Sequence, residues 1–309
     1  MGGEITLRFS TVGLQQTKAA DGGGIAASTA DASKPDLVIL IADSQGNVVV
    51  KYPQDGSLIS STFTEEAIIK FDFSARDAGQ YTVYAFGNTE GLWDMTTDGS
   101  NTITDLTTLA TAAQVEALRF TDLADPSGGL AVKNSRLPLS ARASLTVSTG
   151  KNGEAYLELL RCVAKVTAKF INNTGEDLAL SSYTSSFRGI SPNCGYVLPH
   201  DPDFPEGATT GDLSATEEGL DVPADAILSK DWYVFPSMGP YTSDIGFTLG
   251  GKAYTYNDLP VTNWRAEDIP ALGRNQHITI ETRISKGLTV SFNFKVAAWE
   301  PHSAAVVFD

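Results

Sequence analysis

The chain is poor in the residues that build metal and nucleophile sites. Its 309 residues include two cysteines, Cys162 and Cys194, and three histidines, His200, His277 and His302, each far from the others in sequence. Structural zinc needs clustered Cys or His ligands, so no metal and no cofactor is expected. No C-x-x-C, H-E-x-x-H, Walker loop, G-x-G-x-x-G after a strand or G-x-S-x-G elbow occurs, and the chain reads as a non-enzyme. Positive charge is also scarce: 22 Lys and Arg stand against 37 Asp and Glu, a formal net charge of −15. Such a surface repels phosphate backbones, which argues against a nucleic-acid partner, and it disfavours adsorption to anionic lipid. No apolar run approaches the roughly 20 residues that a membrane-spanning helix needs. The opening Met1-Gly2-Gly3-Glu4 has neither a basic n-region nor an apolar h-region, so the chain is either cytosolic or has lost an export signal, and removal of the signal is the expectation.

Alternation with a period of two is abundant, the mark of half-buried strands. Ile5, Leu7 and Phe9 alternate with Thr6, Arg8 and Ser10. From Leu14 to about Lys34 the sequence has no apolar period, contains Gly22-Gly23-Gly24, and reads as a flexible loop. Leu37 to Ile41 is continuously apolar, which predicts a strand covered on both faces. Strands are also expected at Val48–Val50, Ile69–Phe73 and Tyr81–Phe86. One helix is predicted from Thr104 to about Arg119, with Thr104 or Asp105 as its cap.

Gly150-Lys-Asn-Gly153 reads as a hairpin turn. Beyond it, Leu160, Cys162, Ala164, Val166, Ala168 and Phe170 are expected on the inner face of one long strand, with Arg161, Lys165, Thr167 and Lys169 on the outer face. Ser191 to about Ala224, rich in Pro, Gly, Asp and Glu, reads as irregular. Strands return at Trp232–Phe235 and Ile245–Leu249, and the chain closes with a hairpin, Ile278–Ile284 and Leu288–Val296 turning at Ser285-Lys-Gly287. The length favours two domains, 1–150 and 151–309, and the pattern favours two β-sandwiches in tandem, the first carrying the one short helix.

Several features admit two readings. Cys162 is expected to be a buried thiol or one half of a bridge to Cys194. Asp201-Pro-Asp203-Phe-Pro-Glu206 offers oxygens to calcium but lacks the glycine and ligand spacing of a calcium loop, and otherwise reads as a solvated acidic loop. Trp93, Trp232, Trp264 and Trp299 could stack on sugar or fill cores, so a secreted glycan-binding adhesin is the alternative function.

Four stretches taken in order resemble the fimbrillin family of type V fimbriae, including its anchor-like lipoproteins. They are the opening strand with Thr17-Lys18-Ala19, the flexible loop, Leu37–Ile41 and Gly46; Ala78-Gly-Gln-Tyr-Thr-Val-Tyr-Ala-Phe-Gly-Asn88; Leu137-Pro138-Leu139 followed by Leu159-Leu-Arg-Cys-Val-Ala-Lys-Val166; and the closing hairpin to Val296-Ala-Ala-Trp299. The resemblance implies two transthyretin-like Greek-key sandwiches and export by a lipoprotein route through the periplasm to the outer membrane. It also implies assembly with other fimbrial subunits at the cell surface, with host proteins or glycans as further partners.

In that family the first strand of a stalk subunit is removed by proteolysis and replaced by a strand from another subunit. Carried onto this chain, the removable strand is Glu4–Val12 with Ile5, Leu7 and Phe9 inward, and the processing place is Lys18. The donor is Ser303–Asp309, presenting Ala304, Val306 and Phe308, unless that segment is an edge strand of its own domain. The family cuts after arginine, and no arginine lies between Arg8 and Arg76. Either another protease acts, or this is an anchor, tip or accessory subunit that keeps its first strand.

Overall fold

The computed structural model describes residues 3–11, 36–54, 58–63, 67–88, 94–121, 137–190, 194–205, 210–263, 265 and 267–298. The fold is almost wholly β. The first half contains β1 (Glu4–Thr11), β2 (Leu37–Ala42), β3 (Val48–Tyr52), β4 (Leu58–Phe63), β5 (Ala67–Asp72), β6 (Gly79–Gly87), β7 (Met95–Thr96), α1 (Ala112–Glu116), β8 (Arg119–Thr121), β9 (Leu139–Val147) and β10 (Gly153–Arg161). The second half contains β11 (Ala164–Asn173), β12 (Leu178–Ile190), β13 (Cys194–Tyr196), β14 (Gly211–Val222), β15 (Ile227–Val234), β16 (Ser237–Met238), β17 (Thr242–Leu249), β18 (Lys252–Pro260), β19 (Ala271–Leu272), β20 (Gln276–Ser285) and β21 (Thr289–Ala298).

Strand pairing repeats one plan in the two halves. In the first, the ladder runs β3-β2-β6-β9-β10-β1-β5-β4; in the second, β15-β11-β20-β21 faces β14-β12-β17-β18. Each half opens with a strand that lies antiparallel to one neighbour and parallel to another: β1 between β5 and β10, β11 between β15 and β20. Those are the two parallel ladders among the described residues. Each half then places its second strand between a hairpin partner and a later strand, β2 between β3 and β6, β12 between β14 and β17.

Inward residues of each sandwich form its core. Ile5, Leu7, Ile39, Ile41, Phe71, Val83, Leu145 and Leu157 belong to the first, and Val166, Phe170, Phe187, Trp232, Ile245 and Ile280 to the second. A third core lies on the outer face of β2 and β6, where Leu40, Tyr84 and Phe86 meet Val115, Leu118 and Phe120. Cys162, Val163, Val197, Leu198 and Phe235 complete it from the second half. This is why the run Leu37–Ile41 is apolar on both faces, as the sequence predicts.

The predicted helix over Thr104–Arg119 is much shorter. A 3-10 turn spans Leu106–Thr108, Leu109 is extended, and α1 covers five residues behind a capping box of Thr111 and Gln114. Thr104, Thr107, Thr108 and Thr111 are β-branched and disfavour an unbroken helix; Asp105 caps the 3-10 turn as expected, accepting from the Thr107 N–H, and Thr111 caps α1.

The long strand expected from Leu160 to Phe170 is two strands in two sheets. Backbone pairing of β10 ends at Arg161 and that of β11 begins at Ala164. Gly150, at φ +65, lies between β9 and β10, both in the first sheet, and the changeover of pairing falls at Cys162 and Val163. The inward row also changes parity, from Ala155, Leu157 and Leu159 in β10 to Ala164, Val166, Ala168 and Phe170 in β11, so Leu160, expected on the inner face, is only partly buried; the apolar pair Leu159-Leu160 hid the switch. The stretch read as irregular, Ser191–Ala224, contains β13 and the long β14. Most of β14 is exposed on both faces, so its sequence carries little apolar alternation.

Candidate functional site, the first strand and its groove

β1 is an interior strand of its sheet, paired along most of its length on both sides. On the inward face Ile5 lies between Gly153 and Phe71, Leu7 between Ala155 and Ile69, and Phe9 between Leu157 and Ala67. Ile5 and Leu7 are 0% exposed and Phe9 2%. The β10 bank is small opposite Ile5 and Leu7, at Gly153 and Ala155, and apolar opposite Phe9, at Leu157. A Cβ at Gly153 would come within 3.4 Å of the Ile5 Cγ2 and 3.2 Å of the Leu145 Cδ1, so glycine leaves that room. Period-two alternation thus places three large apolar groups in one row, and their burial holds the strand.

The outward face carries charge. Lys70 Nζ on β5 lies 2.8 Å from the Glu4 carboxylate, and Arg8 bonds Glu154 on β10. Thr6 is directly opposite both Lys70 and Glu154, so each ion pair runs diagonally across a ladder. The backbone closes the strand's start, where Glu4 N–H donates to Asn152 Oδ1 at 3.1 Å and Phe73 N–H donates to the Gly3 carbonyl at 3.0 Å. Tyr156, opposite Arg8, is 70% exposed. Lys18 and the segment with Ala304, Val306 and Phe308 lie outside the described residues, so their placement relative to the groove is not described.

Other candidates take structural places. Cys162 is fully buried, its Sγ 3.3 Å from the Val197 carbonyl and 3.4 Å from Ser140 Oγ, and burial pushes its thiol pKa up. It sits in the third core at the junction of the halves, and both cysteines are free thiols. Asp203, from the acidic loop, holds Arg274 in a bidentate pair, 2.8 Å to Nε and 2.7 Å to Nη2. The same guanidinium donates to the carbonyls of Tyr196, Val197 and Leu198 and to Ser140 Oγ. Among the described residues no group of three or more His, Cys, Asp or Glu is placed to hold a metal ion. Trp232 is 3% exposed and packs in the second core, while Trp93, Trp264 and Trp299 lie outside the described residues.

A polar row that the sequence assigned to an exposed face is buried on the outer side of β11 and β20. Lys165 is 6% exposed, Thr167 4% and Glu281 7%. Thr167 Oγ1 lies 2.6 Å from Asp231 Oδ1 and 2.7 Å from His277 Nε2. In a nucleophile triad the acid orients the base; here Asp231 bonds the hydroxyl and Lys165, so the wiring does not make Thr167 a nucleophile. Such a row was not legible as buried, since alternation shows only which side of a strand a residue takes. Among the described residues no helix is long and apolar enough to cross a membrane, which says nothing of strands.

The architecture defines a class of two-part β proteins in which an opening strand fills an interior sheet position. Among the solved structures similar to this chain in overall fold are the following three. The tip fimbrial protein Mfa3 from Porphyromonas gingivalis with C-terminal truncation superposes with a TM-score of 0.57 at 15% identity, covering 96% of this chain and 100% of that one. A protein described as a cell adhesion protein from Bacteroides eggerthii gives 0.55 at 14% identity over 96% of each chain. One of the same description from Parabacteroides distasonis gives 0.55 at 11% identity over 98% of this chain and 99% of that one. A comparison with curated sequences finds no match. The family model for fimbrillin-A associated anchor proteins Mfa1 and Mfa2 matches residues 5–304, so the chain belongs to that family.

Proposed function

We propose that this protein is a non-catalytic structural or adhesive subunit of a bacterial cell-surface fimbria, and that it assembles with other fimbrial subunits by β-strand exchange at β1. Family membership over residues 5–304 supports the fimbrial role. The observation that carries the exchange is the position of β1. It is an interior strand of its sheet, and residues 12–35 separate it from β2, so a cut in that segment severs it from every strand that follows. The matching strand of the second half, β11, is tied to β10 across two residues, Cys162 and Val163, and is not detachable in that way.

Removing β1 would strip Ile5, Leu7 and Phe9 from a core, each worth about 2–5 kcal/mol against alanine, and leave two facing strand edges unpaired. An incoming strand restores both backbone bonds and apolar contacts. In this reading residues 1–150 and 151–309 are two sandwich units in tandem, with β10 lent to the first. The cut falls near Lys18, and Ala304, Val306 and Phe308 enter the groove of another subunit. Export by a lipoprotein route and a lipid anchor at the outer membrane belong to the same reading.

The test is cleavage with a lysine-specific protease under native conditions, with the cut mapped by mass spectrometry, followed by size-exclusion chromatography. Intact chains should stay monomeric, chains cut at Lys18 should associate, and deletion of Ser303–Asp309 should abolish association. Cut chains that lose β1 and remain folded monomers would overturn strand exchange and leave an accessory subunit that keeps its strand.

A further inference from the structure

We infer that Lys70 and Glu154 read the register and direction of the strand that occupies the β1 groove. They select a partner segment with an acidic residue where Glu4 lies and a basic residue where Arg8 lies. This inference rests on the proposed exchange at β1 and adds the chemistry of the strand that can enter.

Lys70 on β5 and Glu154 on β10 are both opposite Thr6, one on each bank. Adjacent strands stand ~4.8 Å apart, so these banks are ~10 Å apart across the vacated place, beyond direct ion pairing. With β1 absent, the groove offers a cation on one rim and an anion on the other at the same level. With β1 present, Lys70 reaches to Glu4 and Glu154 to Arg8, diagonally and in opposite directions along the strand. Acid first and base four positions later is therefore the order that satisfies both rims.

A strand entering backwards would bring its base towards Lys70 and its acid towards Glu154, setting like charges together. A slip of two positions would keep the apolar parity but take the charges away from their partners. Backbone bonds and the inward row cannot make these distinctions alone, because the ladder is sequence-blind and Ile, Leu and Phe are interchangeable in kind. Exposed ion pairs are individually weak, at a few-fold each in affinity, while like charges on facing strands act against pairing. Two pairs and their inversions together separate a correct strand from an incorrect one by about tenfold.

The pattern bears on the partner's identity. Laid in the same direction with Ala304, Val306 and Phe308 in the places of Ile5, Leu7 and Phe9, segment 303–309 puts Ser303 at the position of Glu4 and Val307 at that of Arg8. It meets the apolar half of the pattern and neither charge. The preferred occupant is accordingly an extended segment of a different subunit, with the order acid, apolar, any, apolar, base, apolar.

The experiment uses the full chain with a site for a sequence-specific protease replacing residues 20–27, cut after folding. Fluorescent peptides are then exchanged into it and followed by anisotropy. Three are compared: residues 3–12, the same peptide with Glu4→Lys and Arg8→Glu, and residues 302–309. The first should compete about tenfold better than the second, and the third should fall between them. A protein carrying Lys70→Glu and Glu154→Lys should reverse the order of the first two. Added salt provides a readout in the unaltered protein, weakening the first peptide and strengthening the second. Equal affinity of both peptides at low and high salt overturns the charge reading while strand exchange stands. No incorporation of any peptide overturns strand exchange itself, and the charge reading with it.

Discussion

Glu281 is a buried carboxylate whose ionised form is held by two side-chain hydrogen bonds. Burial pushes its carboxyl pKa up, but bonds from Lys295 at 2.9 Å and Asn293 at 3.1 Å outweigh this, and the result lies below the ordinary 4.5. A carboxyl with a depressed folded pKa stabilises the protein above its ordinary value and loses that contribution as pH falls through the folded value. Glu281→Gln should therefore cost about 1–2 kcal/mol at pH 7, and the gap from the parent should close as pH falls below 4.5, as urea titrations across that range would read. The buried guanidinium of Arg274 sets a larger stake. Asp203→Ala leaves it without its carboxylate and should cost about 3–5 kcal/mol, measured by the same titration. Cys162 should resist thiol reagents until the protein unfolds, since it is fully buried and its thiolate disfavoured, while the half-buried Cys194 should react first. Mass spectrometry of labelled peptides distinguishes the two; rapid native labelling of Cys162 would contradict its placement.

Among elements, β1 and β11 hold equivalent places, but the chain holds them differently. Both are parallel to a late strand and antiparallel to an earlier one. β11 continues from β10 through two residues, so its ends are fixed by neighbours on both sides. β1 is separated from β2 by residues 12–35. Leu7→Ala should lower global stability by about 2–5 kcal/mol and raise hydrogen exchange in β1, β5 and β10, while β11 and β20 stay protected. Equal loss of protection in β11 would show that the first core does not open separately.

For the whole molecule, the question is what joins two sandwiches into one body. The third core and the small sheet of β7, β8 and β13 take residues from both halves. Phe120 and Phe235 stack across the junction with ring centroids 5.3 Å apart, and a Cβ at Gly195 would overlap the Phe235 ring at 2.4 Å. Phe235→Ala should cost about 3–5 kcal/mol and turn a single calorimetric transition into two, as the halves cease to unfold together. A single transition in the variant would mean that the junction contributes little to cooperativity.

Alternation by itself determined the all-β class and the inward rows of β1, β20 and β21, because those depend on which side of a strand each residue takes; Cys162 is buried as expected, but at the crossover between β10 and β11 and in the third core. The apolar doublet in β2 determined that something covers both its faces. Partners were beyond its reach. The passage from β10 to β11 changes sheet and inward parity together, behind the apolar pair Leu159-Leu160, and the largely exposed β14 carries little pattern to read. Lys165, Thr167 and Glu281 look like surface residues until neighbouring strands close over them. The groove was half legible: Ile5, Leu7 and Phe9 are evident from their spacing, whereas Lys70 and Glu154 lie far from them in sequence and meet at Thr6 only through strand register. Side-chain parity is a local property of the chain; pairing and register are set by packing of the whole, and only the tertiary structure decides them.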